Sequence, residues 1–135
     1  MMTNKELHKY FYEKHQSFWE KVIEVAKKKR YPYIVNVKRE VKKILYPNIE
    51  LFVNCFGCHF VYTPKSLNCK KCFLNLKCFM CKNSYWSQLT RMSNKKKVYF
   101  DKKEFIKLCK KIRNCGFHIT RSKTRMMKLY KEMNK

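Results

Sequence analysis

Acidic residues are scarce in this chain of 135 residues: there are nine, and Asp101 is the one aspartate among them. A paired-carboxylate acid/base site or a two-metal nuclease therefore has few candidate residues. Glycine is scarcer still, with two positions in the whole chain. That leaves no Gly-rich phosphate loop and no low-complexity linker. The longest uncharged stretch, Leu51 to Pro64, falls short of the ~20 apolar residues that a membrane span requires. Met1-Met2-Thr3-Asn4-Lys5-Glu6 has no apolar h-region, so a soluble, intracellular protein is expected. No His-x-Glu triplet precedes the cysteines, which removes the zinc deaminases. No catalytic constellation is evident, and the chain reads more readily as a binding protein than as an enzyme.

What is present is positive charge. Thirty-three Lys and Arg against nine acids give a formal net charge of +24, while hydrophobic residues reach 45% and aromatics 16%. That apolar content is too high for a disordered basic tail, so a folded core under a basic surface is expected. From Asn94 onward there are fifteen Lys/Arg and three acids, so half of the net charge lies in the last third. Arg121, Lys123, Arg125, Lys128 and Lys131 are the expected nucleic-acid contacts there.

From Lys5 to about Lys28, Leu7, Tyr10, Phe11, Phe18, Trp19, Val22, Ile23 and Ala26 recur mostly at three- and four-residue spacing. This predicts an amphipathic helix capped by Thr3 or Asn4, and its aromatic face could pair with a second copy. Its polar face mixes Lys with Glu6, Glu13, Glu20 and Glu24, the pattern of a solvated face with intrahelical pairs. Lys27-Lys28-Lys29-Arg30 suits the negative end of the helix dipole, with DNA contact or localisation as the second reading. Tyr31 to Val37 reads as extended, Lys38 to Leu45 as a short helix, and Ile49 to Val53 and Val98 to Phe100 as strands. Asp101-Lys-Lys-Glu104 opens a helix ending near Gly116, and Thr120 to Lys135 forms another. Trp86 is read as a core residue.

Eight cysteines in an unsecreted chain point to metal in preference to disulfides. Six form pairs within 27 residues: Cys55/Cys58, Cys69/Cys72 and Cys78/Cys81. A two-residue spacer lets both sulfurs face one tetrahedral ion, so one or two Zn2+ are expected. Cys55-Phe-Gly-Cys58-His59 also matches a haem-attachment pattern, but haem would leave the two neighbouring pairs without a role. Cys109, Cys115 and His118 are further candidate ligands, although Cys109 lies at helical spacing with Phe105, Leu108 and Ile112, as a buried thiol would. One pairing is a zinc ribbon of Cys55, Cys58, Cys69 and Cys72.

The order CxxC, ten residues, CxxC, five residues, CxxC resembles a RING cross-brace. With the helical arm and the Lys/Asn/Tyr/Phe-rich composition, the chain resembles the baculovirus U-box/RING-like proteins. The resemblance implies an α+β fold: a small zinc-stabilised RING/U-box-like domain over residues 49–119, between an N-terminal helical arm (1–48) and a basic C-terminal helix (120–135). It implies that Cys55, Cys58, Cys78 and Cys81 share one site, with Cys69 and Cys72 joined by a late pair or left metal-free. It further implies a protein-binding factor in nucleocapsid assembly, in the host nucleus or the virion, with viral or host proteins and DNA as partners. The alternatives are a nucleic-acid-binding zinc protein of viral transcription or packaging, and an E3 ubiquitin ligase. For the ligase, Phe56 and Trp86 match the surface that receives a ubiquitin-conjugating enzyme.

Overall fold

The computed structural model describes residues 2–50, 85–94, 100–115 and 123–135. Among them stand five helices and no strand: α1 (Asn4–Lys28), α2 (Ile34–Leu45), α3 (Tyr85–Ser93), α4 (Lys102–Arg113) and α5 (Lys123–Met133). The expected α+β class is thereby corrected to a helical one.

Helix α1 begins at a complete capping box. The Thr3 hydroxyl accepts from the Glu6 amide, and the Glu6 carboxylate accepts from the Thr3 amide, each at 3.1 Å. Two of the orphan N–H groups of the first turn are satisfied in this way. Its buried stripe contains Leu7, Phe11, Phe18, Trp19, Val22, Ile23 and Ala26, together with His8 and His15, which the apolar pattern did not announce. The helix stops at Lys29, whose backbone is extended, three residues before Pro32.

Helix α2 replaces the extended segment expected over Ile34 to Val37. Ile34, Val37, Lys38 and Val41 are buried at three- and four-residue spacing, so burying one helical face outweighs the β preference of the branched residues. Tyr33 supplies no side-chain cap. The Ile34 amide instead donates to the Ser93 hydroxyl at 3.1 Å, and that hydroxyl donates to the Leu89 carbonyl at 3.0 Å. The end of α3 thus caps the start of α2. Ile49 also lies outside any strand, and Leu51 to Val53 lie outside the described residues. Phe100 packs its ring against Phe105 at 5.6 Å and belongs to no strand, while Val98 and Tyr99 are outside the described residues.

Helices α1, α2, α3 and α4 contact one another in a closed ring, and α5 packs on α1. Three cross-links give the directions. Lys102 of α4 bonds to the Lys27 carbonyl while His15 bonds to Ile112, so α1 and α4 are antiparallel. Lys29 pairs with Glu40 at 3.0 Å while Tyr10 and Tyr46 lie close at the opposite end, so α2 returns alongside α1. Ile34–Ser93 and Lys38–Trp86 make α3 antiparallel to α2. One core runs from Leu7 to Leu129, with Trp19, Phe11 and Phe105 among its largest fully buried side chains. Each buried Phe contributes roughly 1.5–3 kcal/mol of transfer free energy. The aromatic face of α1, expected to pair with another copy, is covered by its own chain.

Candidate nucleic-acid interface

Helix α4 is fixed at its start by Asp101, whose carboxylate accepts from the Glu104 amide at 3.2 Å. Phe105, Ile106, Leu108, Cys109 and Ile112 turn inward. The residues left facing water include Lys103, Lys107, Lys110 and Lys111, all exposed. At 100° per residue these four fall within a single 100° arc, and they extend over about 12 Å of helix. No carboxylate among the described residues is paired with any of them, and Lys111 lies 5.3 Å from the Tyr85 ring centre. The one acid within α4, Glu104, lies beside the arc in the first turn, where the helix dipole favours it.

The start of α4 also meets the end of α1, through a residue outside the arc. The Lys102 ammonium donates to the Lys27 carbonyl, placing the start of α4 against the Lys27–Arg30 run. Within this run, Lys28 pairs with Glu24 at 3.8 Å and Lys29 with Glu40 at 3.0 Å, both at the surface. Lys21, bonded to Glu24 at 3.0 Å, holds that carboxyl below its ordinary range through the hydrogen bond and its charge. Lys27 and Arg30 are exposed, and the Arg30 guanidinium sits 5.4 Å over the Tyr31 ring. Tyr31 meets Phe100 edge to face at 6.1 Å.

A second polar cluster lies inside the ring of helices, one group from each. His15 of α1 donates from Nε2 to the Ile112 carbonyl of α4 at 2.9 Å. Lys38 of α2, only 3% exposed, holds its ammonium 4.3 Å over the Trp86 ring of α3. Burial pushes the His15 imidazole down to about 4 and the charge of Lys38 acts in the same direction, while the bond to Ile112 opposes them. His15 is neutral at pH 7 and ties helices together.

The expected site residues divide accordingly. Lys128 and Lys131 are exposed on α5, Lys123 and Arg125 belong to the same helix, and Arg121 lies outside the described residues. Trp86 packs against the core as a half-buried residue, and Phe56 is outside the described residues. The expectation of Zn2+ is corrected: among the described residues no three His, Cys, Asp or Glu side chains are grouped to hold a metal ion. Cys109 is a free, buried thiol that burial pushes up to about 12, which disfavours the thiolate a metal requires. Cys115 is disulfide-bonded, contrary to the expectation of free thiols. Cys55, Cys58, Cys69, Cys72, Cys78, Cys81 and His118 lie outside the described residues. No described helix is long and apolar enough to cross a membrane.

Sequence reasoning counted the lysines of α4 in bulk and missed that four share a face, although the spacing of residues 103, 107, 110 and 111 carries that signal. Comparison with family models, curated proteins and solved structures finds no match to this chain.

Proposed function

We propose that this chain binds nucleic acid through its phosphate backbone, using the lysine face of α4 and the adjoining end of α1. The observation that carries this reading is the exposed, carboxylate-free arc of Lys103, Lys107, Lys110 and Lys111. Lysine ammonium groups are point charges that neutralise phosphates without reading bases, so the contact is independent of sequence. The net charge of +24 favours the same partner at long range. The setting assigned to this contact is viral nucleocapsid assembly, on the resemblance carried by Cys55 to Cys81.

The test is a salt titration of binding to a labelled duplex, comparing the wild-type chain with K103Q/K107Q/K110Q/K111Q. Four neutralised phosphates correspond to a slope of log Kobs against log[salt] of about −3.6. The quadruple variant, with unchanged helix content by circular dichroism, is expected to lose most of that slope and at least tenfold in affinity at about 100 mM salt. Wild-type affinity and slope in the variant would refute the assignment.

A further inference from the structure

The lysine arc of α4 runs on, past its last lysine, to a residue of different chemistry. Asn114 is the C-cap of α4 and is exposed. Its backbone amide still bonds to the Lys110 carbonyl at 3.1 Å, so the helical path holds as far as this residue. At 100° per residue Asn114 stands about 20° from Lys103, between Lys107 and Lys110 and inside the arc itself. It lies about 6 Å beyond Lys110 along the axis. Lys103, Lys107, Lys110 and Asn114 thus form one exposed line on one helix.

The Asn114 side chain is held in a defined orientation. Arg113 donates from Nε to Asn114 Oδ1 at 3.1 Å. A guanidinium N–H can meet only the carbonyl end of an amide, so this bond fixes which end of Asn114 accepts and which donates. It uses one of the two lone pairs of Oδ1 and leaves the other, together with both hydrogens of Nδ2. Arg113 is half-buried and joins no ion pair among the described residues. At this end of α4 the helix dipole is negative, which favours a ligand group that carries N–H donors over a further phosphate.

Lysines on phosphates position a helix and carry no base information. An amide with one acceptor and one donor to offer matches the N6 amino group and N7 of adenine, side by side on the major-groove edge. Guanine presents two acceptors on that edge, O6 and N7, which would set Oδ1 against a second acceptor. Resting on the phosphate-binding function proposed above, we propose that Asn114, positioned by Arg113, reads adenine in the major groove of a duplex and gives this chain a preference for A·T-containing sites.

The experiment measures fluorescence anisotropy at about 100 mM salt on three duplexes of equal length: alternating A·T, alternating G·C, and A·T with 7-deazaadenine, which lacks the N7 acceptor. Wild type should bind the A·T duplex about fivefold or more tightly than either of the others. Asn114→Ala should bind all three alike, with the wild-type affinity for G·C and the wild-type salt slope. Arg113→Met should lose most of the preference, a ratio that a lost phosphate contact would not move, since it weakens every duplex equally. The 7-deazaadenine comparison reads wild type alone and stands whatever the stability of the variants. Equal wild-type affinity for A·T and G·C, no effect of 7-deazaadenine, or full preference in Asn114→Ala would each overturn the reading of adenine by Asn114 and leave the lysine face standing. Full preference in Arg113→Met would overturn the positioning role of Arg113. Binding to none of the duplexes would instead overturn the phosphate-binding function itself.

Discussion

His15 Nε2 donates to the carbonyl of Ile112 across 2.9 Å of buried space, joining the middle of α1 to the last turn of α4. That carbonyl already accepts from the Cys115 amide at 3.1 Å, so the imidazole is a second donor to it, brought from another helix. An imidazolium could make the same bond, so it is burial and not the bond that holds the ring neutral. Burial pulls the folded-state value down to about 4, against about 6.5 in an unfolded chain.

Between those two values the unfolded chain binds a proton that the folded chain refuses. The contribution of His15 is therefore fully present above about pH 6.5 and is lost as pH falls toward 4. Urea unfolding at pH 7.5 and 4.5 is expected to show roughly 2–3 kcal/mol of His15-linked destabilisation at the lower pH. His15→Gln, which keeps a donor but does not titrate, removes that part of the pH dependence. An unchanged pH dependence in His15→Gln would exclude it.

Lys38 disfavours protonation of His15 by its charge. Lys38→Met keeps an unbranched apolar stem beside Trp86 and removes the charge, so the His15 value should rise. Histidine ring chemical shifts followed by NMR through the titration measure it directly. Replacing a buried cation by an apolar residue of similar shape is also expected to leave stability within about 1–2 kcal/mol of wild type.

Cys109 should be inert in the folded chain. Its thiol is fully buried and is pushed up to about 12, so almost no thiolate exists at pH 8. Iodoacetamide followed by peptide mass spectrometry should leave Cys109 unmodified in buffer and modified in about 6 M urea, beyond the unfolding midpoint of an ordinary domain. Rapid native labelling would show that α4 opens locally.

The two helix caps offer separate stability tests. Thr3→Ala removes the acceptor for the Glu6 amide on α1 while keeping the backbone amide that donates to the Glu6 carboxylate, and Asp101→Ala removes the acceptor for the Glu104 amide on α4. Each is expected to cost about 1 kcal/mol in chemical denaturation, with Thr3→Ser and Asp101→Asn near wild type.

How much of this was legible depends on range. The stripe of α1, the caps at Thr3 and Asp101, the burial of Cys109 and the existence of α4 and α5 all follow from spacing within one or two turns. Residues 34–37 were misread because Ile, Val and a preceding Pro-Tyr carry a β signature, while the face shared with Lys38 and Val41 shows only when the window is widened. Nothing near Lys38 foretells its burial, because the ring that receives its charge, Trp86, belongs to another helix. The same holds for Ser93, which caps a helix far away in sequence. The lysine arc was visible in spacing but hidden by totalling charge. The RING expectation rests on Cys55 to Cys81, outside the described residues.

The partners of α1 have a kinetic consequence. His15 and Ile112 are separated by 97 positions. A ribosome adding about 5–20 residues per second takes on the order of 5 to 20 seconds to make that interval. Throughout it, Phe11, Phe18 and Trp19 have been made but α4, which helps to cover them, has not. The nascent chain thus carries an aromatic stripe ahead of its cover, and whatever shields α1 during synthesis, a chaperone or transient packing against α2, governs how much of the product reaches the native ring.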